Sequence, residues 1–362
     1  MSARRPVPAA PGGTMSMRSR FARRSLFTGA GALLAGTVLA ACSEPAPPPA
    51  VPSGPSLAAP TPVAGAAQLG PVIEEISAAI TAADAAKDAG LLAPRIVGTA
   101  VDQRTRTYEI IGTFGDWAAQ LASFPGTAAD VVITSTSTEF PRSAIALVPD
   151  AGPSGVPFFV PLQQADATSP YTTWGWAQQA VGIDMPTVPA DAVGTEPVAL
   201  DAADLSLSPA DALALYAKVL ASGDASDPED LLAANPFQTE THAQIQEERT
   251  ALNAGVERDQ AATIHEAYSV KDGDFIGLRT EDGGAVVMAT YTSKRTVTIK
   301  DGAKVSYSEE NVYTALAGTK TFTKTYVRDY STVVGLYIPP ADSDAQIQPI
   351  AATRTLLGAS GS

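Results

Sequence analysis

The chain has 362 residues, with 24 basic side chains against 38 acidic ones and a formal net charge of −14 at pH 7. A field of that sign repels nucleic acid and anionic lipid surfaces, and no basic stripe along the chain reverses it locally. A single cysteine excludes an internal disulfide, so stability rests on ordinary packed cores.

The first 42 residues hold six arginines and no acid, and the 17 residues from Ser25 to Ala41 carry no charge. A basic start, a short apolar run and small residues at its end form the layout of an export signal. The run falls short of the roughly 20 strongly apolar residues that a spanning helix needs. Arg23 and Arg24, followed by Ser25, Leu26 and Phe27, resemble the twin-arginine export motif. Leu39, Ala40, Ala41 and Cys42 resemble a bacterial lipobox. That resemblance implies lipidation of the Cys42 sulfur by a diacylglyceryl group, with the protein held at the outer face of the plasma membrane. Two acyl chains suit stable anchoring, because one chain alone holds only marginally. The membrane, reached through this anchor, is the first expected partner. Beyond Cys42 the chain keeps 18 basic against 38 acidic side chains, a formal charge of −20.

Residues 43–67 contain eight prolines and read as an extended, solvated stalk. A first domain is expected over 68–198. It opens on a helix marked by Val72, Ile76, Ile80 and Ala83 at helical spacing. The stretch Asp84–Ala93 matches Asp224–Ala233 at Asp84, Ala85, Leu91, Leu92 and Ala93, which suggests a tandem duplication. Strands are expected at 131–133, 144–148, 158–162 and 171–176. Residues 185–207 connect to a second domain over 206–340. Its first helix opens on Ser208, Pro209 and Asp211, a capping residue, a first-turn proline and an acid at the positive helix end. Three dipeptides, Asp272-Gly273, Asp282-Gly283 and Asp301-Gly302, read as hairpin turns. They separate strands expected at 264–270, 275–279, 285–299 and 305–313, with another from 321 to 338. Residues 341–362 read as a flexible tail.

Helices followed by an antiparallel meander make an α+β plan. In element order each copy resembles the NTF2-like (cystatin-like) cone, a curved sheet wrapped against N-terminal helices. The whole chain resembles uncharacterised actinobacterial secreted lipoproteins with tandem domains of this kind. The residues that carry this resemblance are the lipobox, Pro157–Gln163, Tyr171–Trp174, Met185–Pro189 and Ser208–Tyr216. It implies two tandem NTF2-like domains and brings no known activity with it.

No phosphate loop, dinucleotide fingerprint or nucleophile elbow is present in the sequence. No cofactor, metal ligand or catalytic residue is therefore expected. His242 and His265 have no His or Cys partner at ligand spacing, and His265 takes the outward phase of its strand. Trp174 and Trp176, placed on one strand face, are candidate ligand-binding residues or core. Arg328, between Tyr326 and Tyr330 on the inner face, is a candidate anion contact or an arginine whose stem packs while its head reaches water. The expected function is a membrane-anchored lipoprotein that binds an envelope protein or a small ligand without catalysis. The alternative is an enzyme or ligand carrier using a cone cavity.

Overall fold

The computed structural model describes residues 61–121, 124–137, 139–150 and 155–362. The export-signal residues Arg23, Arg24, Leu39, Ala40 and Ala41, and the lipidation residue Cys42, lie outside them. Helix α1 (Ala66–Ala86) buries Leu69, Ile73, Ile76, Ile80 and Ala83, the stripe that its apolar spacing dictates. Residues 61–67, assigned to the stalk by sequence, are already folded: the Val63 N–H donates to the Ser135 carbonyl at 2.9 Å. After a 3₁₀ turn at Ala89–Leu92 comes helix α2 (Gly98–Thr113), whose buried residues include the polar Thr99, Gln103, Arg104 and Thr107. A second 3₁₀ turn, Gly115–Gln120, follows. Strands β1 (Val131–Thr134), β2 (Arg142–Val148) and β3 (Phe158–Gln164) then form a meander. Two short strands, β4 (Tyr171–Thr172) and β5 (Ala177–Gln178), both pair with β3.

The second half repeats this order. Helix α3 (Pro209–Ser222) starts as expected, with the Ser208 side chain accepting from the Asp211 N–H. Helix α4 (Pro236–Leu252) is capped by the Asn235 side chain. Strands β6 (Ala262–Arg279) and β7 (Ala285–Ile299) come next. A small ribbon of β8 (Val305–Ser306) and β9 (Thr321–Phe322) brackets helix α5 (Val312–Ala317). The long strands β10 (Thr325–Ile338) and β11 (Gln348–Gly361) complete an antiparallel sheet of order β11-β10-β7-β6.

The two halves share a further detail. Ile96 makes an isolated parallel bridge to Thr173, and Leu232 makes one to Ile347. In each, the N–H of the residue after the bridge donates to the facing carbonyl, and the facing N–H donates back to the residue before it. Both bridges fall ten residues beyond the end of the first long helix of the half, Ala86 and Ser222. The structural match thus sets Ile96 against Leu232. The sequence match, which set Leu92 there, is displaced by four residues.

The halves do not form separate cores. One face of the second sheet packs on the first sheet through Ile133, Ile145, Phe159 and Trp174 on one side and Ile276, Met288, Val333 and Ile350 on the other. The connection between them is stitched to both: Ser135 bridges Thr195, and Pro197 bridges Leu278. Residues 56–362 accordingly make one compact unit, not two independent domains meeting at 198–206.

Three further expectations are corrected. The tail contains β11, paired to β10 along its length with Ile350 and Leu356 buried; its small and polar residues hid the pattern. Asp272-Gly273 does not end a strand. It sits in a bulge of β6, where residues between Val270 and Phe275 loop out opposite Thr290, and Gly273 supplies the positive φ of 86°. The strand expected over 305–313 is two residues of β8 and then the start of α5, which Asn311 caps.

Candidate functional site

The inner face of the second sheet carries charge where a core would be apolar. Glu266, Arg295 and Arg328 stand opposite one another on β6, β7 and β10. All three are buried, Glu266 completely. Arg295 Nε donates to Glu266 at 2.7 Å and Ser293 Oγ donates to it at 2.7 Å. Arg354 of β11 also pairs with Glu266. Glu248 of α4 takes Arg328, and Arg295 Nη1 lies 3.6 Å from it. Burial by itself pushes the Glu266 carboxyl up, but Arg354 and Arg295 outweigh it and hold the group below the usual range. Two carboxylates thus meet three guanidiniums, leaving one positive charge over in this network.

Arg354 carries that excess to a cleft between the halves. The cleft has a volume of about 240 Å³. From the first half, Gln103, Arg104 and Thr107 of α2, Trp117 of the following 3₁₀ turn, and Trp176 form one wall; Tyr313, Tyr330 and residues 353–356 form the other. Among the described residues no acidic side chain lines it. The Arg354 guanidinium lies 3.6 Å from the Tyr330 ring centroid, and that of Arg104 lies 5.2 Å from the Trp176 ring, so both cations rest on aromatic faces. Arg104 Nε is 3.5 Å from Asp84. Arg354 Nε is buried with no hydrogen-bond partner. Burial and the neighbouring Tyr313 push the Tyr330 phenol up to about 12, against the opposing arginines, so it is neutral at pH 7.

The candidates from sequence divide. Trp176 lines the cleft, packed edge-on against Phe124 at 5.3 Å. Trp174 lies between the sheets with Val333 and Met288. The two do not share a face, because the strand is broken between β4 and β5, where Gly175 passes close to Val333. Tyr326, Arg328 and Tyr330 do share the buried inner face, but Arg328 ends on Glu248 rather than in the cleft or in water. His265 is exposed. His242 Nε2 lies 3.2 Å from the Val219 carbonyl. Arg104, Trp117 and Arg354 were missed. The signal for Arg104 is the polar set Gln103, Arg104 and Thr107 at the spacing where a helix normally carries its apolar stripe. Among the described residues no group of three or more His, Cys, Asp or Glu is placed to hold a metal ion, and no helix is long and apolar enough to cross a membrane.

Residues 164–361 match the family model described as a domain of unknown function (DUF8094). The chain belongs to this family. The match opens on the last residue of β3 and closes on the last residue of β11, so it takes in Trp176 and the whole second-half wall of the cleft. The α2 wall lies outside it. No curated protein and no solved structure matches the chain.

Proposed function

We propose that the protein is a lipid-anchored binding protein of the cell envelope, and that the cleft at the seam of its two halves is the binding site. The observation that carries this reading is the makeup of the walls: four aromatic rings and two cations contributed by both halves, in a recess that one half alone would leave open. Such convergent polar groups in an otherwise apolar recess at a junction between substructures are the usual form of a small-ligand site. The buried carboxylates Glu248 and Glu266 are each held by guanidiniums, which fits a scaffold for recognition better than a free general base. The anchor rests on Cys42 and its lipobox, with the twin-arginine pair directing export, as in the actinobacterial lipoproteins that the chain resembles. The tandem NTF2-like origin belongs to the same reading. Its support is the shared order of two helices and a meander, and the two equivalent bridges.

Native mass spectrometry of the detergent-solubilised lipoprotein tests this reading. Incubated with the small-molecule fraction of a cell-envelope extract, the protein should retain a bound species. Thr355→Trp, which fills the cleft, should lose that species at unchanged melting temperature. Equal loading of both proteins, or of neither, contradicts the proposal.

A further inference from the structure

We infer that the cleft selects a small aromatic monoanion, a ring-bearing carboxylate whose charged group is received by Arg354 and whose ring packs among Trp117, Trp176, Tyr313 and Tyr330. The inference rests on the binding reading above and specifies its ligand.

Charge sets the first limit. The chain is acidic overall, yet among the described residues the cleft is walled by two arginines and no acid. A long polyanion would meet the repulsive field of the surrounding surface, whereas a small anion needs to satisfy only the local potential. The count of buried charges sets the second limit. Arg104 has Asp84 beside it. Glu248 and Glu266 balance two of the three guanidiniums Arg295, Arg328 and Arg354. One positive charge is left, and one negative charge on the ligand neutralises it. Of the three, Arg354 alone lines the cleft, and it is the most exposed, 15% against 5% for Arg295 and 7% for Arg328. A guanidinium so placed gains a charge-assisted hydrogen bond when a carboxylate arrives.

Shape and size set the third limit. About 240 Å³ lies below the roughly 300–1,000 Å³ of sites for drug-sized ligands, so a one- or two-ring acid fits and a larger one does not. The rings already in place are held. Trp176 is fixed by Phe124, and Tyr330 by Arg354. Trp117 packs with Ile110, Val312 and Leu356 in the seam cluster. Preformed aromatic walls favour a planar ligand, because little side-chain freedom is lost on binding.

Isothermal titration of the full, detergent-solubilised lipoprotein with 1-naphthoate, 1-naphthylmethanol and 1-naphthylmethylammonium tests the inference. Naphthoate should bind saturably at one site, about 10-fold or more tighter than the neutral alcohol, and the ammonium ion should not bind. Arg354→Gln and Trp117→Ala should each weaken naphthoate about 10-fold. The second variant leaves the ion network untouched, so a folding defect in the first does not decide the matter. Equal affinity for the alcohol overturns anion selection while leaving the cleft as a binding site. Absence of binding by all three compounds overturns the inference, while retention of an envelope species by the wild type and not by Thr355→Trp still upholds the cleft as a binding site. Naphthoate binding that survives both substitutions places the site elsewhere and overturns the inference.

Discussion

Glu266 is completely buried, and Ser293, Arg295 and Arg354 all donate to it. Truncating one partner of such a network strands the others in a low-dielectric interior, which costs more than the pair contributes when intact. Glu266→Gln takes from Arg354 its carboxylate and leaves Arg295 and Arg328 to share Glu248, and should lower stability at pH 7 by about 3–5 kcal/mol. The pH dependence has a definite sign. The folded carboxyl is held below its ordinary value of 4.5, so its contribution is present above that pH and is lost as pH falls through the folded value. Urea denaturation at a series of pH values from 7 downward should show this acid-labile component in the wild type and its absence in Glu266→Gln. The neighbouring His265 points outward and is exposed, so His265→Ala should change stability by no more than about 0.5 kcal/mol. A variant Glu266→Gln as stable as wild type, with the same pH slope, would contradict the assignment.

At the scale of elements, helix α2 depends on the other half of the chain. Its N-cap is Val97, which offers no capping side chain. The Ala100 N–H of its first turn donates to the Trp174 carbonyl at 2.8 Å, and Asp274, brought out by the bulge of β6, accepts from the Thr99 hydroxyl and is buried beside Gly98. A carboxylate there also meets the positive end of the helix. Asp274→Ala should cost about 1–3 kcal/mol by denaturant titration, with Asp274→Asn recovering part of it. An unchanged midpoint for Asp274→Ala would show that α2 stands without this contact. The same bulge shows where sequence reading stops. An Asp-Gly pair needs a positive φ at glycine in a hairpin and in a bulge alike, so the dipeptide alone does not separate them. Helices α1 and α3 and strands β7 and β10 were legible because their apolar residues recur at the period of the element. The polar buried face of helix α2 and the whole of strand β11 were not, because what they bury is largely polar or small. These two elements supply Arg104 and Arg354, so the cleft was hidden in the segments with the weakest patterns. Of its residues Trp176 stood out by its size, and Tyr330 only as a neighbour of Arg328.

At the largest scale stand one compact unit, residues 56–362, and the proposed anchor at Cys42. If Cys42 carries the diacylglyceryl anchor, Cys42→Ala should shift the protein from the membrane fraction to the soluble or secreted one, with loss of the lipid mass from the N-terminal peptide. Retention as firm as wild type would contradict the anchor. Within the folded part, the shared core between the sheets and the Thr99–Asp274 hydrogen bond from α2 to β6 tie the halves into one cooperative system. The seam that joins them is also the proposed site. A ligand held there binds the native state and not the unfolded chain, and so stabilises both halves together. Differential scanning calorimetry of the mature protein, with and without saturating 1-naphthoate, tests that joint claim most directly. The account predicts one transition, with calorimetric and van't Hoff enthalpies equal, raised as a whole by the ligand. Two separable transitions, or a single one that naphthoate leaves in place, would contradict it.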